Sequence, residues 1–415
     1  MSDDVTAVYE IESAVPLERA AEVIAGEQSC GTFVRVARES DELRARHAAQ
    51  VVAVDELPAS GRPPLPGMTG DPRDVRRGRV TVRFPLANFG PSIPNLLAAV
   101  AGNLFELRDV GALRLVDLEL PAAFAERYPG PRFGIAGTRR LLDRPDGPMI
   151  GTIVKPSIGL SGAELAQLVI ELGDAGIDFI KDDELQGNPP GLPLRERVRV
   201  VTEALKEVAD RNGRQPMYAF NITDDIDRLE PNHDLVLAAG GTCVMVCVNL
   251  VGLAGLEYLS RRTQLPIHGH RAMYGAYARS PQLGIDFRVW QKLARIAGAD
   301  HLHTNGFANK FYETDDEVLA SIAAVRTPLL GGYEALPVLS SAQTPGLAPT
   351  TYARTRSTDL LVLSGGGIHG HPQGSAAGVL AMREAWEAAT SGEPLDQRAA
   401  AVPALAAALH TFGRA

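Results

Sequence analysis

Cysteine is scarce in this chain of 415 residues. The three present, Cys30, Cys243 and Cys247, form neither a CxxC pair nor an even set, so a disulfide framework is excluded and a reducing cytoplasm is the expected compartment. A surplus of positive charge is missing as well. Forty-one Lys and Arg against fifty Asp and Glu leave a formal charge of -9, so the average field repels nucleic acid and phosphates, and an anionic substrate needs a local cationic pocket. Long apolar runs are also absent. The opening MSDDVTAVYE has no signal-peptide core. The most apolar stretch, residues 235–256, is broken by Gly240, Gly241 and Asn249, which suits a buried strand between helices better than a membrane span. No nucleic-acid or membrane role is expected.

What is present is a composition of 45% hydrophobic and 22% charged residues, able to bury a large core. At roughly 100 to 200 residues per domain, the length implies two or three domains, or a long barrel with an addition. A Pro/Gly-rich stretch at residues 129–148 reads as a boundary between residues 1–140 and 141–415. Before it, the helical patterns ERAAEVIAGE and IPNLLAAVAGNLF and the strand-like GTFVRVA, VVAVDEL and RVTVRFPL suggest an α+β domain. After it, eight short apolar runs alternate with amphipathic helical segments: MIGTIVKPS, IDFIKDDE, PMYAFNIT, TCVMVCVN, LPIHGHR, DHLHTNG, LPVLSSA and LLVLSGGG. The fold class expected is α/β, with a C-terminal (β/α)8 barrel following the N-terminal α+β domain; a doubly wound sheet is the alternative.

Barrel enzymes carry their chemistry at the C-terminal ends of the strands, and those ends are polar here. Six of the nine histidines, His268, His270, His301, His303, His369 and His371, fall at the ends of runs five, six and eight. A lone histidine is more often structural; convergence from three strands points to a site. Lys181-Asp182-Asp183-Glu184 follows the apolar IDFI. Strand alternation puts Lys181 and Asp183 on the inner face and turns Asp182 toward the helices, while Glu184 can fold back into the mouth. Two carboxylates there would suit Mg2+, although a Lys-Asp pair plugging the barrel fits the spacing equally well. Lys155, held at the end of the first run by Pro156, is a candidate proton shuttle if partly buried near other cations. The Gly365-Gly366-Gly367 turn allows close approach of a phosphate. His270, Arg271, His303, Lys310 and Ser340 could form a second anion site or orient the polar end of a substrate.

The segments GTIVKPSIGLS, GIDFIKDDE, LPIHGHRAM, DHLHTNGFANK and GGGIHGHPQG resemble, in order, the barrel motifs of the large subunit of ribulose-bisphosphate carboxylase/oxygenase. The resemblance covers about residues 20 to 390 and includes GEQSCGTF and AGNLFELRDVGALRLVDLELP. It implies a homodimer whose active site is shared between one barrel and the partner's N-terminal domain. It implies a carbamate formed from CO2 on Lys181, with Asp183 and Glu184 completing a Mg2+ site. Lys155 is similar to the proton-transfer lysine, Lys310 to the lysine of the loop after strand six, and His270 to a histidine at the metal site. Arg271, His303 and Ser340 resemble one phosphate site. Thr32, Gly365, Gly366 and Gly367, with Lys310, resemble the other. Glu27 and Asn103 match residues donated by the partner subunit.

Departures from the carboxylase pattern are as informative. Ser157 stands where a second lysine is found, Tyr274 for a histidine, Phe33 for a tryptophan, and Ser341-Ala342 for a glycine pair. These identify the chain as similar to the Rubisco-like proteins, which share enolate chemistry without net carboxylation of ribulose bisphosphate. The HGHR and HLH segments set the chain apart from the methionine-salvage enolases, and CVMVCVN, PIHGHR and HTNGFANKF resemble the branch that decarboxylates 3-oxo-isoapionate 4-phosphate to an erythrulose phosphate and CO2. The alternatives are an enolase or isomerase of the methionine-salvage kind, a transcarboxylase-hydrolase, and a non-catalytic sugar-phosphate-binding protein.

Overall fold

The computed structural model describes residues 3–31 and 36–413. The chain divides into two compact units, Met1–Pro129 with Met273–Ile296 and Gly130–Ala272 with Ala297–Ala415. The boundary expected at residue 140 falls inside the helix Gly134–Leu142, which belongs to the second unit. The sequence pattern also gave no sign that residues 273–296 return to the first. Among the described residues, no helix is long and apolar enough to cross a membrane.

The first unit is built on a five-stranded sheet in the order Leu283–Ile285, Ala112–Glu119, Val5–Ser13, Arg76–Phe84, Gln50–Leu57. Its pairs are antiparallel except the first, which is parallel. Val5–Ser13 is absent from the sequence-based expectations, yet its signal is plain: Val5, Ala7, Tyr9 and Ile11 alternate and are fully buried. The strand expected in GTFVRVA lies mostly outside the described residues.

In the second unit every one of the eight expected runs is a strand. They are β1 (Met149–Ile153), β2 (Phe179–Lys181), β3 (Met217–Asn221), β4 (Cys243–Cys247), β5 (Ile267–His270), β6 (His301–His303), β7 (Leu336–Leu339) and β8 (Leu361–Leu363). All neighbours are parallel and β8 closes on β1, giving a complete barrel. Near-continuous burial of these short runs is what a parallel sheet covered on both faces requires. Met149, Phe179, Met217, Met245, Leu336 and Leu361 fill the interior, and Leu142 and Ile135 of the helix Gly134–Leu142 pack against them as a floor. The helices after β1 and β6 begin with capping boxes, Ser161 with Glu164 and Thr314 with Glu317, so the two loops ahead of them at the barrel mouth end at fixed points.

The strand alternation expected at β2 holds. Asp182 turns outward and accepts hydrogen bonds from Arg197 Nε (2.9 Å), Tyr218 Oη (2.6 Å) and the Asn221 N–H (2.8 Å). Arg197 also donates to the carbonyls of Gly187 and Asn221, and both charges are withdrawn from solvent. Breaking a buried pair strands the remaining charge. Arg197→Ala is therefore expected to lower stability by about 3–5 kcal/mol, read from urea unfolding, with a smaller loss in the Asp182→Asn, Arg197→Met double variant.

Candidate active site

Three side chains from the end of β2 and its loop converge with one from β1. Lys181 is fully buried. Its Nζ donates to the Asp182 carbonyl at 2.8 Å and lies 3.8 Å from Glu184 Oε2. Burial lowers the basicity of this amine, opposed by the charges of Glu184 and Asp183. Asp183 faces the other way. Its Oδ2 accepts from Lys155 Nζ at 2.7 Å and its Oδ1 from the Leu185 N–H at 3.1 Å. Burial alone would raise its pKa, but the hydrogen bonds from Lys155, Leu185 and Ser157 together hold it below the usual value. Ser157, which stands in place of a second lysine, accepts from Lys155 Nζ at 2.8 Å. The neighbours of Lys155 are thus a carboxylate and a hydroxyl.

His270 of β5 completes this face, its Nε2 3.5 Å from Glu184 Oε2. Its Nδ1 accepts from the Ala272 N–H (3.1 Å), which orients the ring. Below it, His303 of β6 stacks edge-on at 4.4 Å between centroids and continues through His268 and His301 into the barrel interior. The other two histidines of the expected cluster separate from it. His371 bonds the Ala404 carbonyl and the Gln373 N–H, a structural role, and His369 ties Thr152 and the Ile153 carbonyl to Ser375.

Arg271 is engaged by Glu313, a carboxylate of the β6 loop that also accepts from Asn305. Glu313 was not anticipated, because nothing in its sequence surroundings distinguishes it from a loop surface acid. Gly365 lies against Lys155, with an added Cβ 3.6 Å from its Cε, so the glycine turn after β8 reaches the same mouth. At Gly367 a Cβ would fall 2.4 Å from the Gln343 carbonyl, which is why no larger residue fits there. Ser341 and Ala342, which replace a glycine pair, nevertheless keep left-handed backbone at φ 69° and 65°. That conformation costs a side-chain-bearing residue roughly 1–2 kcal/mol, and the Ser341 hydroxyl offsets part of it by donating to Asn305 Oδ1 at 3.0 Å.

Lys310 is not brought to this group. It is exposed, its amine 5.4 Å from the centre of the Phe311 ring. Glu27 and Asn103 are exposed residues of the first unit. They are neighbours there, because Gln28, with its amide oriented to satisfy both groups, accepts from the Asn103 N–H (2.8 Å) and donates to the Ala98 carbonyl (2.9 Å). Thr32 and Phe33 lie outside the described residues. Tyr274 packs with Phe287 and Trp290 in the first unit.

Comparison with known proteins gives a consistent picture. Residues 1–124 match the N-terminal domain, and residues 134–412 the catalytic domain, of the ribulose bisphosphate carboxylase large chain. The chain is 51% identical over 411 residues, 99% of both chains, to a 3-oxo-isoapionate-4-phosphate transcarboxylase/hydrolase of Xanthobacter autotrophicus. It is 42% identical over 411 residues, 98% of both, to a 3-oxo-isoapionate-4-phosphate decarboxylase of Rhizobium rhizogenes. A crystal structure of a rubisco-like protein from Burkholderia fungorum superposes with a TM-score of 0.91 at 45% identity, covering 99% of this chain and 100% of that one.

The buried histidines make stability depend on acid. Burial drives His301 down to about 3 and lowers His268 and His303 well below the ordinary value of 6.5. Groups depressed on folding contribute stability that is complete above the unfolded pKa and lost as pH falls toward the folded one. Asp300, raised by burial to about 6 from 3.8, acts oppositely between those values, one group against three. The melting temperature is expected to fall as pH is lowered from 7 to 5; a flat or rising profile would contradict these assignments.

Proposed function

The chain belongs to the ribulose bisphosphate carboxylase large-chain family, and we propose that it cleaves the bond to the carboxylate of a 3-oxo sugar-acid phosphate, 3-oxo-isoapionate 4-phosphate, through an enediolate. The observation that carries this reading is the state of Lys181: a desolvated amine facing one carboxylate, with a second held beside it. A neutral amine is the form that adds CO2. A carbamate oxygen on Lys181 would join the carboxylates of Asp183 and Glu184 as hard oxygen donors of the kind Mg2+ takes. Lys181, Asp183 and Glu184 would then hold the ion. When bound, it supplies Lewis-acid stabilisation of negative charge on the substrate's keto oxygen.

The chain's own groups do the rest. Loss of CO2 from the 3-oxo acid leaves an electron pair on the adjoining carbon. Lys155 Nζ, on the Asp183 side of the site, holds a proton for whichever carbon keeps that pair: the adjoining carbon in a simple decarboxylation, or its neighbour once water has split a recarboxylated product. His270 is held toward its neutral form by burial, which lowers its pKa, and so orients substrate oxygens without adding charge. Arg271, kept in place by Glu313, faces the anionic end of the substrate. Lys310 would close over the phosphate with the glycine turn.

The fate of the enediolate separates two reactions. Protonation completes a decarboxylation, the outcome favoured by the sequence reading and supported by the relative 42% identical. Recapture of the CO2 at the neighbouring carbon gives a second 3-oxo acid, which water splits into two acids. The relative 51% identical, named for transcarboxylase/hydrolase activity, favours this second fate, and it is the reading we adopt. With the substrate carrying 13C in its carboxylate, label is expected in an acid product; label in free CO2 would establish the decarboxylase. Lys181→Ala should abolish either turnover, and full activity in that variant would refute the carbamate site.

We further propose a homodimer in which Glu27 and Asn103 complete the partner's mouth. Mixing Lys155→Ala with Asn103→Ala subunits should restore turnover that neither variant has alone; no recovery in mixed dimers would count against sharing.

A further inference from the structure

A chain of hydrogen-bonded polar groups inside the barrel plays no part in the proposed reaction. It starts at the mouth with Ser340 Oγ, 3.1 Å from His303 Nδ1. His303 Nε2 lies 2.8 Å from His268 Nε2, and His268 Nδ1 lies 3.3 Å from His301 Nδ1. His301 Nε2 lies 2.8 Å from Thr138 Oγ1. Thr138 belongs to the helix Gly134–Leu142 that floors the barrel, and its Oγ1 lies 2.6 Å from the Gly134 carbonyl oxygen.

Counting protons along this chain leaves a single arrangement. Two oxygens 2.6 Å apart need a proton between them, and only the Thr138 hydroxyl has one, so Thr138 donates to Gly134. Its oxygen then accepts from His301, which makes His301 the Nε2–H tautomer with a bare Nδ1. Each neutral imidazole carries one N–H, and burial keeps all three rings neutral. His268 must therefore donate from Nδ1 and accept at Nε2. His303 donates from Nε2 and accepts at Nδ1, and Ser340 supplies that last proton.

The chain ends on a backbone carbonyl beneath a residue with no solvent exposure. Having no outlet, it cannot pass protons through the barrel; what it can do is hold one polarity. We propose that Thr138 is a positioning residue that fixes the tautomers of His301, His268 and His303 and so turns the Ser340 hydroxyl proton away from the mouth. Ser340 then offers only lone pairs to a ligand, and His303 has no N–H to spare. The ligand group that meets Ser340 is a donor such as a sugar hydroxyl, which fits the polar end of a substrate better than an anion. This deepens the proposed sugar-acid reaction and rests on it only for its kinetic readout.

The test is nitrogen NMR of the full-length protein labelled with 15N-histidine, which reads each ring's tautomer without any substrate. The wild type should show Nε2–H at His301 and His303 and Nδ1–H at His268. Thr138→Val, which removes the floor acceptor, should shift or mix the His301 and His268 tautomers, and Thr138→Ser should restore them. With 3-oxo-isoapionate 4-phosphate as substrate, Thr138→Val should raise KM by about tenfold, the size of one hydrogen bond reversed, with kcat changed less than twofold. A protonated ring or any other tautomer in the wild type would overturn the proposal, as would wild-type tautomers persisting in Thr138→Val. If Thr138→Val does not fold, the wild-type assignments decide. Absent turnover with the expected ring signals would sink the reaction and leave the role of Thr138 standing.

Discussion

The burial of one amine organises this barrel. Lys181 sits at the end of β2 with no solvent contact, and a lysine so placed pays a desolvation penalty as an ammonium that its neighbours only partly return. The response is visible in the surrounding groups. Asp182 is turned out to Arg197 and Tyr218, Asp183 is drawn to Lys155, and Glu184 is left 3.8 Å from the amine with its side chain 41% exposed. The result is a weakened cation beside two carboxylates, one of them accessible.

The interior beneath that site is unusually polar for a parallel barrel, yet its ring nitrogens are satisfied. His268 and His301 pack against Phe179, which excludes water, and against one another, which provides the hydrogen bonds that water would have made. Asp300 belongs to the same economy of buried groups: its carboxylate accepts from the N–H groups of Phe133, Gly134 and Ile267, joining the floor helix to the base of β5. A buried acid that accepts several backbone hydrogen bonds is a structural clamp, and here it sets the position of the helix that carries Thr138.

Much of the barrel was legible in advance, since runs such as MYAFN and CVMVC are too short for helices and too apolar for a surface sheet. The first unit was less legible. Val5–Ser13 carries a clear period-two pattern, whereas Leu283–Ile285 is a three-residue strand whose pairing with Ala112–Glu119 spans more than a hundred residues of chain. Local pattern holds no information on such a partner. At the site, the alternation of side chains on a strand correctly separated Asp182 from Lys181 and Asp183. It could not show that Asp183 would turn to Lys155, that Glu313 would hold Arg271, or that His371 would leave the cluster, because each depends on loops whose direction is set by packing.

The amino-acid sequence alone determined the periodicity of the elements, the supply of lysines, carboxylates and histidines at strand ends, and the family motifs that carry them. Those are properties of adjacent residues, governed by backbone geometry over a few ångströms. Only the tertiary structure decided which groups share a proton. Ser340 and Thr138 are about two hundred positions apart in the chain, and the three histidines between them come from two strands that become neighbours when the barrel closes. Hydrogen-bond direction is a property of the whole connected chain of donors and acceptors, so it exists only once folding has brought both ends into place.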